Sequence, residues 1–98
     1  MDSITLKITG ILAIKEVLGQ GSLEFTVPKG STVRDTLLAM SKKWGEKLSS
    51  LMFSPDGSLL PYIRVMVNGQ DLEFLENKIE TFMKEGDEIL ILPPVAGG

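Results

Sequence analysis

The chain has 98 residues, a formal net charge of −3, and neither cysteine nor histidine. That length suits one domain, which can bury about 60–70% of its unfolded surface without covalent staples. The missing residue types exclude disulfides, thiol chemistry, and the usual metal ligand and general base near neutral pH.

Lysine and arginine are scattered, so the electrostatic footprint of a nucleic-acid binder is missing. The start, Met1-Asp2-Ser3-Ile4, does not read as a signal peptide. No run approaches the roughly 20 apolar residues of a membrane span. The expectation is a soluble cytoplasmic protein with no nucleic acid and no membrane among its partners.

Ile4, Leu6 and Ile8 alternate with polar residues, the period of a half-buried strand that Gly10 ends. Ile11 to Leu18 predicts one or two helical turns, closed by Gly19-Gln20-Gly21. Leu23, Phe25 and Val27 alternate with Ser22, Glu24 and Thr26 in a second strand, stopped by Pro28.

Thr32-Val33-Arg34-Asp35 reads as a capping box with Asp in the place usually held by Glu or Gln. Val33, Leu37, Met40, Trp44 and Leu48 follow at helical spacing. Trp44 is expected as a core anchor on that stripe. Gly45 is expected to end or interrupt the helix.

Ser54-Pro55-Asp56-Gly57-Ser58 is a loop, and Tyr62 to Val67 a strand with Ile63, Val65 and Val67 on one face. Asn68-Gly69 is a strong hairpin signal, because both central positions of a type I′ turn need positive φ. The return strand is short, Gln70 to Leu72, and Ile79 to Met83 is ambiguous. Lys84-Glu85-Gly86-Asp87 turns into the last strand, Ile89-Leu90-Ile91-Leu92. That strand is apolar at both parities, so it is either covered on both faces or lends one to a partner. The expected core holds Ile4, Leu6, Ile8, Phe25, Val27, Val33, Leu37, Trp44, Val65 and Val67.

Several constellations are too thin to carry chemistry. Gly19-Gln20-Gly21 lacks the third glycine of a dinucleotide loop. Lys29-Gly30-Ser31-Thr32 lacks the order of a phosphate-binding loop and reads as a turn plus helix cap. Glu85-Gly86-Asp87-Glu88 lacks the ligand spacing of a cation loop. No histidine is available for a catalytic triad. A self-contained enzyme is not expected, and no residue reads as catalytic or metal-binding.

The last six residues are Pro93, Pro94, Val95, Ala96, Gly97 and Gly98. The prolines cannot continue a central strand ladder and favour extended geometry. Six residues reach at most roughly 20 Å. The segment tapers to bare backbone, thin enough for a narrow channel in another protein. The α-carboxylate of Gly98 is read as the working group, with Val95 to Gly98 mobile in the free monomer because little apolar area offsets their ordering. The chain thus divides into a body, residues 1–92, and a protruding tail, residues 93–98.

Taken together, these pieces resemble the ubiquitin-like sulfur-carrier family. Its members include the small subunit of molybdopterin synthase and the thiamine-pathway sulfur carrier. The stretch Gly86-Asp87-Glu88-Ile89-Leu90-Ile91-Leu92-Pro93-Pro94-Val95-Ala96-Gly97-Gly98 is more similar to the molybdopterin-synthase subunit. Val67-Asn68-Gly69 agrees with it.

The resemblance implies an α+β fold, the ubiquitin-like β-grasp: a mixed sheet on one main helix, with first and last strands adjacent. It implies that an ATP-dependent activating enzyme adenylates Gly98 and that a sulfur donor converts it to a thiocarboxylate. Pro93, Pro94, Val95, Ala96 and Gly97 would thread into the large subunit of molybdopterin synthase. The chain would then be a small non-catalytic subunit binding no cofactor, with ATP used by the activating enzyme. Other members serve thiamine, RNA thiolation or tungsten-cofactor pathways, or are conjugated to protein lysines. A plain β-grasp interaction module with an inert tail is a further alternative. Gly10-Ile11 stands where relatives often carry an aromatic residue. Met66, on the parity opposite Val65 and Val67, marks a possible partner surface on the sheet face away from the helix. One parity of the last strand, Leu90 and Leu92 or Ile89 and Ile91, would share it.

Overall fold

A computed structural model describes residues 2–94. Five strands form one sheet: β1 (Ser3–Gly10), β2 (Ser22–Pro28), β3 (Arg64–Val67), β4 (Gln70–Asp71) and β5 (Glu88–Leu92). Their order is β2-β1-β5-β3-β4, and β5, last in sequence, is central. The β1–β5 pair is parallel and the other pairs are antiparallel. This is the mixed sheet of a β-grasp, with first and last strands side by side.

Register sorts the side chains. Ile4, Leu6 and Ile8 lie opposite Val27, Phe25 and Leu23. Ile8 neighbours Ile89, and Ile91 lies opposite Val65. These residues line one face; Leu23 packs half-buried against the rest, which join the buried cluster with Ile14, Leu18, Val33, Leu37, Met40, Leu48 and Met52. The undecided parity is thereby settled: Ile89 and Ile91 are fully buried. Burying each such side chain is worth about 1.5–3 kcal/mol before conformational entropy is charged.

Three helices supply the covering layer: α1 (Leu12–Leu18), α2 (Val33–Trp44) and α3 (Glu46–Met52). The main helix, α2, begins with the expected capping box. Asp35 N donates to Thr32 Oγ1 at 3.1 Å, and Thr32 N donates to Asp35 Oδ2 at 3.0 Å. Gly45 ends α2 with φ 78°, left-handed backbone that glycine adopts without strain. Leu48 therefore belongs to α3 and reaches the core from a second direction.

Trp44 departs from the expectation. It is half-buried at the end of α2, its ring tilted 39° against Phe25 at 5.9 Å between centroids. Met40, one turn earlier, is fully buried and anchors the stripe. The reason is positional. The chain turns away at Gly45, so the last turn of α2 has sheet on one side only.

The Asn68-Gly69 turn forms as expected, with φ 51° and 84°. It joins β3 to a return strand of only two residues. The ambiguous stretch 79–83 contains the end of a 3₁₀ turn, Lys78–Glu80, and a bridge from Phe82 to Thr32 that seats Met83 in the core. Among the described residues, no helix is long and apolar enough to cross a membrane.

Candidate functional site

The candidate site begins where β5 ends. A central strand has hydrogen-bonded neighbours on both sides, so its exit point is held by two ladders. On one side Gly10 stands beside Ile91, and on the other Arg64 stands opposite Leu92. Pro93 follows and is buried, whereas Pro94 is exposed. Of the residues expected to form the thread, Val95, Ala96, Gly97 and Gly98 lie outside the described residues, as does their expected mobility.

Apolar side chains ring the exit. Ile11 and Leu12 follow Gly10 and are 39% and 53% exposed, and Tyr62, two residues before Arg64, is 56% exposed. Leu12 has φ 54°. A non-glycine residue there costs on the order of 1–3 kcal/mol and persists only where its surroundings impose it. Here the first turn of α1 must start directly after a strand whose last residue is packed under that helix. The sequence carries no sign of this, because leucine ordinarily avoids that region.

The sheet face away from the helices leads to the same exit. Met66 lies opposite Leu90, and Leu92 is next on that face. All three are half-buried. The structure thus groups Met66 with Leu90 and Leu92, leaving Ile89 and Ile91 in the core. Sequence pattern could not decide this, because both parities of β5 are apolar.

Charged pairs border the strip. Arg64 Nη2 approaches Asp71 Oδ2 at 2.6 Å, and Arg64 Nε donates to the same oxygen at 3.1 Å. The Glu73 backbone N–H and then Arg64 hold the Asp71 carboxyl below its usual range. Across the sheet, Lys7 Nζ lies 3.9 Å from Glu88 Oε2, which also accepts from Thr9 Oγ1 at 3.4 Å. The face is therefore an apolar strip between ion pairs of both signs. Such a strip can dock a partner by apolar contact and set orientation by charge.

The chain has no histidine or cysteine, and among the described residues no group of three or more acidic side chains is placed to hold a metal ion. What the geometry offers is a fixed exit, an apolar strip leading to it, and a chain that continues from it.

The chain resembles known proteins in sequence and in fold. The ThiS family model matches residues 13–98. A candidate sulfur carrier protein of Archaeoglobus fulgidus is 37% identical over 81 residues, 83% of this chain and 89% of that protein. Small archaeal modifier protein 3 of Haloferax volcanii is 30% identical over 93 residues, 95% and 98% of the respective chains. The solution structure of small archaeal modifier protein 1 from Methanosarcina acetivorans superposes with a TM-score of 0.80 at 28% identity, covering 100% of both chains. The fold is thus a ubiquitin-like β-grasp, and the match of 13–98 together with these two relatives makes the chain a member of the ThiS family.

Proposed function

We propose that the chain is a sulfur carrier whose Gly98 α-carboxylate is activated by a partner enzyme and converted to a thiocarboxylate. The observation that carries this reading is the placement of the exit. The sheet's central strand ends, at the root of the Pro93-to-Gly98 segment, beside a half-buried apolar strip, in a member of the ThiS family.

The chemistry follows from the carboxylate. With a pKa of roughly 3.5 it is anionic and a poor electrophile at neutral pH. An ATP-dependent adenylating enzyme supplies the activation. One carboxylate oxygen attacks the α-phosphorus of ATP, pyrophosphate leaves, and an acyl-adenylate forms. A sulfur donor delivering sulfur at the oxidation level of sulfide then attacks the carbonyl carbon. AMP departs with the original oxygen, and the terminus becomes a thiocarboxylate. The chain's own part is to reach and to present. Gly97 and Gly98 keep the thread narrow, Pro94 stiffens its root, and the strip of Met66, Leu90 and Leu92 docks the enzyme. The proposed recipient is a pterin precursor of a molybdenum or tungsten cofactor, held by the large subunit of a molybdopterin synthase.

A second reading is favoured by the relative named as a small archaeal modifier protein, which aligns over nearly the full length. The same acyl-adenylate would then pass its acyl group to a lysine ε-amine, giving an isopeptide bond. One experiment separates the two. The chain is recovered from its own cells and its intact mass is measured. One oxygen replaced by sulfur at the terminus supports the carrier. Conjugates that a peptidase reduces to the unmodified chain support the modifier. An unmodified terminus and no conjugates, after incubation with the activating enzyme and ATP as well, would sink both.

A further inference from the structure

Strand β2 forms one edge of the sheet, two strands away from β5. Its outward backbone groups can be identified from the ladder. Lys29 N–H donates to the Asp2 carbonyl, and Gly10 N–H donates to the Gly21 carbonyl. These two bonds bracket the β1–β2 register, in which Val27, Phe25 and Leu23 lie opposite Ile4, Leu6 and Ile8. In an antiparallel pair the bonded residues alternate. Leu23, Phe25 and Val27 therefore turn their N–H and C=O groups towards β1. Ser22, Glu24 and Thr26 turn theirs outward. Pro28 would come next, but it has no N–H, and its carbonyl already accepts from Ser31 N and Ser31 Oγ. The open edge is thus short, defined at one end, and centred on Glu24 and Thr26.

A groove runs beside this edge on the helix side. Val27, Pro28, Lys29, Gly30, Ser31, Asp35 and Ala39 line a cavity of about 440 Å³. Asp35, Ala39 and Lys43 are four residues apart along α2, so they form one stripe facing the edge. Ala39 leaves the middle of the groove wide. Lys29 lines the groove itself. Lys43, one turn beyond Ala39, lies over the edge strand's Phe25, its ammonium 5.9 Å from the centre of that ring and 4.9 Å from that of Trp44. Neither lysine takes part in the ion pairs found among the described residues. The one acid in the stripe, Asp35, is already engaged, accepting from Thr32 N.

We propose that the outer edge of β2 accepts an extended acidic segment of a partner protein as an added strand. Strand addition supplies the backbone bonds, and the groove selects the side chains. An antiparallel segment places a small β-branched residue opposite Val27, above Ala39. Residues two positions away on the same face lie opposite Lys29 and beside Lys43, and both positions call for carboxylates. A second copy of this chain does not fit. The groove-side residues are Leu23, Phe25 and Val27 of β2 and Lys29 just beyond it, which offer no acid to either lysine. The edge is also two strands away from β5, whose end is the tail exit.

The probe is the peptide acetyl-Glu-Thr-Val-Thr-Glu-Thr-amide, with a control in which both glutamates are lysine. Full-length chain labelled with nitrogen-15 is titrated with each, and amide hydrogen exchange is followed residue by residue. The acidic peptide is expected to slow exchange of the Glu24 and Thr26 amides at least about tenfold, since bonded amides require opening before they exchange. Leu23, Phe25 and Val27, already bonded to β1, should change little. Lys43→Glu should weaken binding about tenfold by replacing attraction with repulsion. Thr26→Pro should abolish binding by removing one outward donor, in a strand position where proline is tolerated. Should that variant misfold by circular dichroism, Lys43→Glu decides alone. Deleting Gly98 should leave binding unchanged, whatever it does to activation. Equal binding of the lysine control would overturn the proposal, as would slowed amides on the Met66 face instead. Slow Glu24 and Thr26 exchange without peptide, in a chain that sediments as a dimer, would assign the edge to a second copy and overturn it too.

Discussion

The side-chain amide of Asn68 donates to Asp87 Oδ1 at 3.0 Å, and its oxygen accepts from Glu88 N at 2.9 Å. Nineteen positions separate Asn68 from Asp87, yet this contact joins the hairpin turn to the turn that launches β5. The second Asp87 oxygen accepts from Lys84 N at 2.7 Å, closing the launching turn. The central strand is therefore held at its start by Asn68, in addition to its ladders with β1 and β3.

Asn68→Asp tests this pin. The variant keeps an acceptor for Glu88 N and tolerates the left-handed backbone, but it replaces the donor by a carboxylate beside Asp87. Loss of about 1 kcal/mol is expected at neutral pH, the worth of a typical hydrogen bond. Like charge raises the folded-state pKa of the introduced acid. Its protonated form can donate to Asp87 again, so the deficit is small at low pH and grows as pH rises through that raised pKa. Urea titrations of both proteins from pH 3 to 7 check this, and a deficit that shrinks with rising pH would refute it.

Gly10 is the second pinned point. A Cβ there would lie 2.5 Å from Ile14 Cγ2 and 3.2 Å from Ile14 Cβ. Ile14 is fully buried, so it has little room to move. Gly10→Ala is expected to cost about 1–3 kcal/mol by overpacking. Adding Ile14→Ala removes the crowding Cγ2, so Gly10→Ala should cost less in that background than in the native chain. A double-mutant cycle with no coupling would show that the two sites do not touch.

The loop at Asp56 gives a pH signature of its own. Its carboxylate accepts from the Ser54 hydroxyl, then from the Ser58 hydroxyl and the Ser58 backbone N–H, and these hold its pKa down at about 2, against 3.8 for the free side chain. A depressed folded-state value means that the loop's contribution is present above 3.8 and is lost as pH falls towards 2. Carboxyl carbon-13 titration should show the low midpoint in the native chain and a higher one in Ser54→Ala. A native midpoint near 3.8 would mean that the three donors do not engage it in solution.

Much of this architecture is legible in the residues, for reasons that differ by element. Ile4 to Ile8 and Leu23 to Val27 alternate because one face is wet. Thr32 and Asp35 cap α2 through contacts only three residues apart. Asn68-Gly69 takes positive φ because few other pairs can. Long-range facts are harder to read. Both parities of β5 are apolar, so only its pairing with β3 shows that Leu90 and Leu92 share a face with Met66. Trp44 lies on a regular stripe, and only the turn at Gly45 leaves it half-buried. Pro93 reads as the start of a thread, yet it is buried, because exposure depends on neighbours distant in sequence.

The strip on the open face yields the next prediction. Met66 and Leu90 are half-buried, and a charge at either can reach water. Met66→Glu and Leu90→Glu should each cost no more than about 1 kcal/mol in stability, within the ordinary range of substitutions outside a core. If the strip docks the activating enzyme, each should slow thiocarboxylation at low enzyme concentration while leaving the saturated rate nearly unchanged. The split between apparent KM and kcat is the readout. An unchanged KM in both variants would remove the strip from the docking surface.

The last prediction concerns Gly97 and Gly98. Beyond the exit at Pro94, the reach of the thread is set by residue count. Deleting Gly98 draws the carboxylate back by about 3.3–3.6 Å at full extension. Misplacement by even about 1 Å can cost a hundredfold in rate when a reacting group must meet a fixed centre. Adding one residue after Gly98 removes the carboxylate from that place altogether. Gly97→Val keeps the length but thickens the thread, so it should fail in a narrow channel. All of these changes lie in the tail, outside residues 1–92, and unfolding free energies should stay within about 0.5 kcal/mol of the native chain. Each variant is incubated with the activating enzyme, ATP and a sulfur donor, then weighed intact. The native chain should exchange one terminal oxygen for sulfur, and the three variants should not. Full conversion of the extended chain without prior trimming would show that the Gly98 carboxylate is not the group on which the chemistry acts.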